Sequence, residues 1–411
     1  MDPIKLMTFY DLGLEESTVK SVKDAGFIDP TPIQKKTIPL ALIGRDIMGI
    51  ANTGTGKTAS FILPLIDILN LGRSKARMPR ALILCPTREL ATQVYNQFIK
   101  FSKNSNLSSL ILIGGESFND QEKAMEKSCD VIIATPGRLI DFHEKGKLLL
   151  NSIKFLVIDE ADRMLDMGFI PDVIKITKLI PRIRQTLFFS ATMNDDVKKT
   201  SKNFLINPKE IIIDPPSNTA ITIEQYKIYL KYGNKIDTLN LLINSEKIKS
   251  GFIFCNRKTN VDYVASALRK FNFNISALHG DMSQEKRKEM LNLFKSNKTD
   301  FLVCSDIASR GIDISSIPVV INYDVPMNVD DYIHRIGRTG RAGHMGKAYS
   351  IVGIEDEKII NSIEKFSKVK LNNLNISHSS PNEDKDKDKD KDKKILKKDI
   401  IAFGNHTPNF F

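Results

Sequence analysis

From Pro30 onward, apolar runs of four to seven residues alternate with stretches whose apolar positions recur at helical spacing. Runs that short, each closed by a polar or glycine-bearing cluster, read as buried strands, and their alternation with helices predicts a doubly wound parallel sheet. The predicted strands are Ala81–Cys85, Leu110–Ile113, Val131–Ala134, Phe155–Ile158 and Leu187–Ser190, preceded by a short one holding Ile47, Met48 and Ile50. The pattern breaks between Asn207 and Thr222, where Pro208, Pro215, Pro216, Ser217 and Asn218 read as a linker. A second alternating series follows, with strands over Phe252–Cys255, Ser276–Leu278, Leu302–Cys304, Val319–Ile321 and Ala348–Val352. Two similar halves imply an internal repeat of fold. Past Leu371 the chain turns to Asn, Ser, Asp and Lys, a composition that cannot bury a core and predicts a disordered tail. The expected division is 1–206, a linker over 207–222, a second domain over 223–370 and a charged tail over 371–411.

Composition adds limits. At 411 residues with 41% apolar content, the chain suits two packed domains. No apolar run nears the roughly 18 residues of a membrane span, and Met1 to Leu14 lacks the charged flank and apolar core of a signal peptide, so a cytoplasmic protein is expected. Cys85, Cys129, Cys255 and Cys304 are far apart and lie in or beside strand-like runs, which fits reduced, buried side chains better than disulfides or metal ligands. The formal charge of +11 points to a polyanionic partner. Glu383 to Lys394 holds six acids and six bases and cancels itself, so most of the excess belongs to the folded body.

The candidate chemistry gathers at strand ends, where open α/β sheets bind ligands. Ala51-Asn52-Thr53-Gly54-Thr55-Gly56-Lys57-Thr58 joins the first short strand to a helix running from Ala59 to Leu69. Glycines at such a turn let backbone N–H groups face a phosphate, so a nucleoside triphosphate is the expected guest. Ala51 stands where the generic phosphate loop has its first glycine. Asp159-Glu160-Ala161-Asp162 follows the run Phe155–Ile158 and supplies carboxylates. Thr58 and Asp159 are placed to share a Mg²⁺ ion, Lys57 to reach the β and γ phosphates, and Glu160 to position the attacking water. Gln34, after Pro30-Thr31-Pro32-Ile33, carries an acceptor and a donor pair that match the N7 and N6 edge of adenine. An acidic helix start and an exposed glutamine are the plainer readings of the last two features.

Taken in order, these motifs resemble those of the DEAD-box RNA helicases. Phe9, Gly26-Phe27 and Pro30–Gln34 resemble that family's Q motif, and Ala51–Thr58 is its A-x-T-G-x-G-K-T form of the phosphate loop. Pro86-Thr87-Arg88-Glu89-Leu90-Ala91, Gly114-Gly115, Thr135-Pro136-Gly137-Arg138, Asp159–Asp162 and Ser190-Ala191-Thr192 follow in the family's order. The second half continues with Phe252–Asn256, the Gln284 and Arg287 pair after His279-Gly280-Asp281, Ser305–Asp313 and His334–Arg341. Ser305 and Ser309 depart from the threonine and alanine common in the family. The run Asp166–Phe169 and the lysine-rich tail look most like the bacterial RhlE-type subgroup.

The resemblance implies two tandem RecA-like domains that complete one ATP site on closing. Phe9 would stack on adenine while Gln34 reads its edge, and Thr53, Gly54, Thr55, Gly56, Lys57 and Thr58 would hold the phosphates, with Asp313 reaching the nucleotide from the second domain. Arg338 and Arg341 would act as arginine fingers, whose permanently charged forks suit phosphate oxygens. RNA contacts are implied for Arg88, Gly115, Thr135, Gly137 and Arg138 in the first domain. In the second they are implied for Arg257, His279, Gln284, Arg287, Ser305 and Arg310. Ser190 and Thr192 would couple the two sites. Contacts of this kind go mostly to phosphate and ribose, so binding should be sequence-tolerant and salt-sensitive. The expected activity is RNA-stimulated hydrolysis of ATP, by a monomer, that unwinds short duplexes or remodels RNA–protein complexes, with single-stranded and short duplex RNA as partners. Ribosomal-precursor or RNA-degradation complexes are the wider partner classes. An ATP-gated RNA clamp with little unwinding carries the same motifs and stands as the alternative.

Overall fold

The structure, a computed structural model, describes residues 7–51, 54–72, 78–127, 129–213, 223–230, 234–309, 317–340, 345–367 and 369–376. Strands β1 (Ile47–Ile50), β2 (Ala81–Leu84), β3 (Ser109–Leu112), β4 (Val131–Ala134), β5 (Phe155–Ile158), β6 (Gln185–Ser190) and β7 (Lys209–Ile212) build the first sheet. The second holds β8 (Ile223–Tyr229), β9 (Gly251–Cys255), β10 (Ile275–Leu278), β11 (Phe301–Ser305), β12 (Val319–Asn322), β13 (Gly346–Val352) and β14 (Asn372–Asn373). Every pairing among these strands is parallel.

The spatial orders are β3-β4-β2-β5-β6-β1-β7 and β10-β11-β9-β12-β13-β8-β14. Raising each strand number of the first order by seven reproduces the second, so the expected internal repeat holds strand for strand. Both faces of each sheet are covered, which is why the central strands are apolar without interruption. Side chains still alternate: Ala81 and Ile83 join one apolar cluster, Leu82 and Leu84 the opposite one. In β9, Ile253 and Cys255 face one side and Phe252 and Phe254 the other.

The structure extends the expected strand series at its edges. β7 lies inside the stretch read as linker, paired with β1 and anchored by the buried Ile211, so the first sheet runs past 206. β8 opens the second sheet at Ile223, and β14 pairs with β8 beyond 370. All three sit at or near an edge, where polar residues are tolerated and no continuous apolar run marks the strand. Residues 377–411, most of the expected tail, lie outside the described residues. The four cysteines are buried. Among the described residues, no helix is long and apolar enough to cross a membrane.

Among the described residues, three ion pairs join the two bodies: Arg287 to Glu89 at 2.7 Å, Lys288 to Glu116 at 2.8 Å and Arg163 to Asp331 at 3.3 Å.

A candidate nucleotide site facing a two-body cleft

The phosphate loop leaves β1, where Ala51 N donates to Ser190 O at 3.1 Å, and ends at Lys57, the first residue of the helix Lys57–Asn70. Gly54 and Gly56 sit at φ +86° and +92°, in the left-handed region that favours glycine. A Cβ on Gly56 would also lie 2.5 Å from Gln34 Nε2 and 2.9 Å from Thr31 Oγ1. Lys57 is 6% exposed, and its Nζ has no hydrogen-bond partner among the described residues. A buried, unpaired ammonium is costly, and an anion in the loop would remove that cost.

Gln34 is 1% exposed and already partnered, not a solvated glutamine. Its Oε1 accepts from Thr31 N at 2.9 Å, and its Nε2 donates to Gly56 O at 3.1 Å, tying the proline-rich turn to the phosphate loop. One amide hydrogen and one lone pair remain for a base edge. Phe9 is 3% exposed within the apolar cluster that includes Leu12 and Ile33, so little of its ring faces outward.

Asp159 follows β5 directly, and burial pushes its carboxyl up to about 7, with the Lys57 charge pulling the other way. Its Oδ1 accepts from Glu160 N at 2.9 Å. Glu160 takes φ +50°, a left-handed conformation that costs a residue with a Cβ about 1–2 kcal/mol. Such strain persists where the surroundings impose it, and here it turns the chain sharply between the strand and the helix Ala161–Asp166. Asp162 accepts from Ala191 N at 3.1 Å, Thr192 N at 3.2 Å and Thr192 Oγ1 at 3.4 Å, while Ser190 Oγ accepts from Thr192 N at 3.4 Å. The Ser190 and Thr192 pair is therefore fastened to the acidic turn. Thr58 and Asp159 offer hard oxygen donors, the set Mg²⁺ takes when substrate phosphates supply the rest. Among the described residues there is no group of three or more His, Cys, Asp or Glu that could hold a metal alone.

Across the cleft, Arg338 is 7% exposed, one residue past the Gly337 cap of the helix Val329–Ile336. Thr53, Arg310, Asp313 and Arg341 lie outside the described residues, as does the side chain of Ser309. Arg335, marked in the sequence only as a member of the run His334–Arg341, is the hub of this body. Its guanidinium donates to Asp306 at 2.6 and 2.7 Å, to Asp324 O and Asn256 Oδ1 at 2.6 Å, and to Asn322 Oδ1 at 3.2 Å. Arg163, unmarked in the sequence, donates to both Asp166 and Asp331 at 3.3 Å.

The residues expected on the RNA face of the first body do converge. Arg88 lies across Gly114 and Gly115, and a Cβ on Gly115 would collide with its guanidinium. Thr135 precedes the helix Pro136–Glu144, Gly137 is exposed, and Arg138 donates to Glu116 O at 2.9 Å. In the second body the expectations fare differently. Ser305 ends β11 at partial exposure, and Gln284 is buried with Oε1 unpartnered among the described residues. His279 Nε2 lies 3.3 Å from Asp262. Arg287 is buried and spent on Glu89, His279 O and Ala308 O, so in this arrangement it offers no free fork to a phosphate. Arg257 lies in a polar pocket with Lys235 and Asp324. Glu89 stands inside the motif Pro86–Ala91, and no local signal announces its partner 198 residues away.

Comparison with known proteins bears on this arrangement. Residues 31–200 match the DEAD/DEAH box helicase family, and residues 234–343 the helicase conserved C-terminal domain. Over 366 residues, 89% of this chain and 70% of the relative, the sequence is 40% identical to the ATP-dependent RNA helicase CshA of Listeria monocytogenes. This chain belongs to the DEAD-box ATP-dependent RNA helicases. It is also 40% identical to the ATP-dependent RNA helicase DeaD of Buchnera aphidicola, with 91% of this chain covered but only 62% of that longer protein. These names do not bear on the RhlE-type subgroup. Among solved structures, Saccharomyces cerevisiae Dbp5 bound to RNA and ADP BeF3 superposes with a TM-score of 0.80 at 29% identity, covering 95% of this chain and all of that one. A Dbp5 variant bound to Gle1 and IP6 gives 0.71 over 95% of this chain and 99% of that one. Identity and coverage are nearly the same in the two comparisons, and the RNA-bound and nucleotide-bound form gives the higher score.

Proposed function

We propose that this chain hydrolyses ATP when RNA and nucleotide together draw its two bodies into contact, and that the cycle separates short RNA duplexes or remodels RNA–protein complexes. The observation that carries this reading is the buried Lys57 at the end of a glycine loop, its Nζ without a hydrogen-bond partner among the described residues, set beside a strained carboxylate turn and facing a body docked through ion pairs. Lys57, with Thr53, Gly54, Thr55, Gly56 and Thr58, takes the phosphates. The free amide edge of Gln34 reads adenine, with Phe9 closing that end and Asp313 touching the nucleotide from the second body. Thr58 and Asp159 would hold Mg²⁺, which neutralises charge on the phosphate oxygens. Glu160 orients the attacking water and takes its proton. Arg338 and Arg341 complete the site, and in comparable phosphoryl transfers such fingers are worth about 10³–10⁵ in rate.

Arg88, Gly115, Thr135, Gly137 and Arg138 form the RNA face of the first body, and Arg257, Gln284, Ser305 and Arg310 face it from the second. Ser190 and Thr192, held by Asp162, relay the state of the ATP site. The reading takes the protein as a cytoplasmic monomer acting on single-stranded and short duplex RNA, with ribosomal-precursor or RNA-degradation complexes as its wider setting. A second reading, an ATP-gated RNA clamp, is favoured by the cross-body ion pairs, which stabilise the docked state. RNA-stimulated ATPase assays test the first step, and a strand-displacement assay on a short duplex separates the two readings. ATPase unaffected by RNA would overturn both; stimulation without displacement would leave the clamp.

A further inference from the structure

The strand-for-strand repeat gives each position at the first nucleotide site a counterpart in the second sheet. β1 corresponds to β8, β5 to β12 and β6 to β13. Lys57 is the first residue of the helix that follows β1, and Lys235 is the first residue of the helix that follows β8. Asp159 is the first residue after β5, and Asp324 is the second after β12. The counterpart pair is in contact, with Lys235 Nζ 3.6 Å from Asp324 Oδ1. At this corner the structure opens a cavity of about 240 Å³, lined by Lys235, Asn256, Arg257, Asp324, Glu355 and Asp356 among others.

We propose that the second body carries a ligand pocket of its own, a site for the ribose 5-phosphate group of a free ribonucleoside monophosphate. The charge distribution favours this chemistry. Asp324 is largely neutralised, since its Oδ2 accepts from Asn256 N at 3.0 Å and Asn260 Nδ2 at 2.9 Å while Lys235 faces its other oxygen. Arg257 is exposed and makes no ion pair among the described residues, which leaves a guanidinium fork for a phosphate beside Lys235. The helix Lys235–Ser245 also begins here; Asn234 Oδ1 accepts from Ile236 N at 2.9 Å, and the other N–H groups of its first turn favour an anion. Glu355 and Asp356 line the same pocket from the turn after β13; Asp356 Oδ2 already accepts from Gly353 N at 2.9 Å, and the remaining carboxylate oxygens can accept from ribose hydroxyls. The volume suits a sugar and one phosphate. It falls below the roughly 300–1,000 Å³ of larger ligand pockets, so a triphosphate would not be enclosed. The pocket lies wholly on the second body, and because Arg257 also stands on the proposed RNA face, a bound monophosphate would compete with RNA for that side chain.

Calorimetric titration of AMP and of ribose 5-phosphate into the full chain saturated with ADP tests this. One further equivalent of each should bind, adenosine should not, and Lys235→Ala and Arg257→Ala should each weaken binding by about tenfold or more, as expected for loss of a charged hydrogen bond. Lys57→Ala, titrated with ribose 5-phosphate in the absence of ADP, should keep the site. Arg257 is exposed, so its replacement tests the pocket without disturbing the core. Absence of binding to the ADP-saturated chain, equal binding of adenosine, or loss in Lys57→Ala with retention in Arg257→Ala would overturn the assignment.

Discussion

Arg287 and Glu89 form an ion pair between the two bodies that is almost sealed from water. Nε and Nη2 of the arginine lie 2.9 and 2.7 Å from the same carboxylate oxygen, and the two side chains are 9% and 11% exposed. Removing one member of such a pair leaves the other buried and uncompensated, a loss of about 3–5 kcal/mol. Because the pair exists only when the bodies dock, that loss falls on the docked state. Arg287→Met and Glu89→Gln should each lower RNA affinity in the presence of a non-hydrolysable ATP analogue by at least about tenfold. RNA affinity without nucleotide should change little. Fluorescence anisotropy with labelled RNA reads both quantities. Normal analogue-dependent binding in Glu89→Gln would return Arg287 to a direct RNA role.

Glu160 is held by its left-handed backbone and by the bond from its N–H to Asp159, and neither depends on its side-chain charge. Glu160→Gln should therefore keep the turn, bind ATP and RNA, and lose about 10²–10⁴ in turnover. Single-turnover hydrolysis with parallel binding measurements checks this. Turnover near that of the wild type would remove Glu160 from its assigned role.

The sequence made legible what depends on local pattern. Phe155–Ile158 could be read as a strand because both of its faces are buried, and the phosphate loop because glycine spacing is itself the requirement. β8 could not, since its burial alternates along Ile223 to Lys227 and its apolar run is broken. The Arg287 and Glu89 contact depends on how two bodies dock, a property no local window carries. Arg335 was hidden for another reason: an arginine is surface by default, and only the ring of acceptors from Asn256, Asp306, Asn322 and Asp324 makes its burial affordable. The same holds for Gln34, whose tie to Gly56 became visible only with the loop folded against it.

Asp67 carries a pH dependence away from the nucleotide site. It is buried in the helix Lys57–Asn70, accepts from Glu15 N at 2.7 Å and from the Thr18 hydroxyl, and so fastens the helix Glu16–Asp24. Burial raises its carboxyl above the ordinary value of 3.8, an effect that these hydrogen bonds oppose. The folded state thus keeps a proton that the unfolded chain has lost, and stability falls as pH rises from the ordinary carboxylate range through the raised value. An asparagine can accept from Glu15 N and donate to Thr18 Oγ1 without that cost. In urea unfolding, the stability of Asp67→Asn relative to the wild type should therefore improve as pH rises from about 4 to 7. Asp67→Ala should cost about 1–3 kcal/mol by leaving Glu15 N unpaired. A constant difference between wild type and Asp67→Asn across that range would show that Asp67 titrates normally.

Gln34 joins two functions in one amide. One N–H holds Gly56 O and one lone pair holds Thr31 N, so the side chain positions the phosphate loop for any nucleotide. The remaining hydrogen and lone pair match adenine and not guanine, whose corresponding edge presents two acceptors. Gln34→Ala should therefore weaken both ATP and GTP binding, because Gly56 O and Thr31 N lose their partner, and should weaken ATP binding further. Losing a neutral hydrogen bond of this kind corresponds to a few-fold to about tenfold in affinity. Competition of each nucleotide against a fluorescent ADP analogue separates the two parts. Unchanged GTP binding would mean that the tie to the loop is idle. Equal losses for ATP and GTP would mean that the amide positions the loop and reads no base.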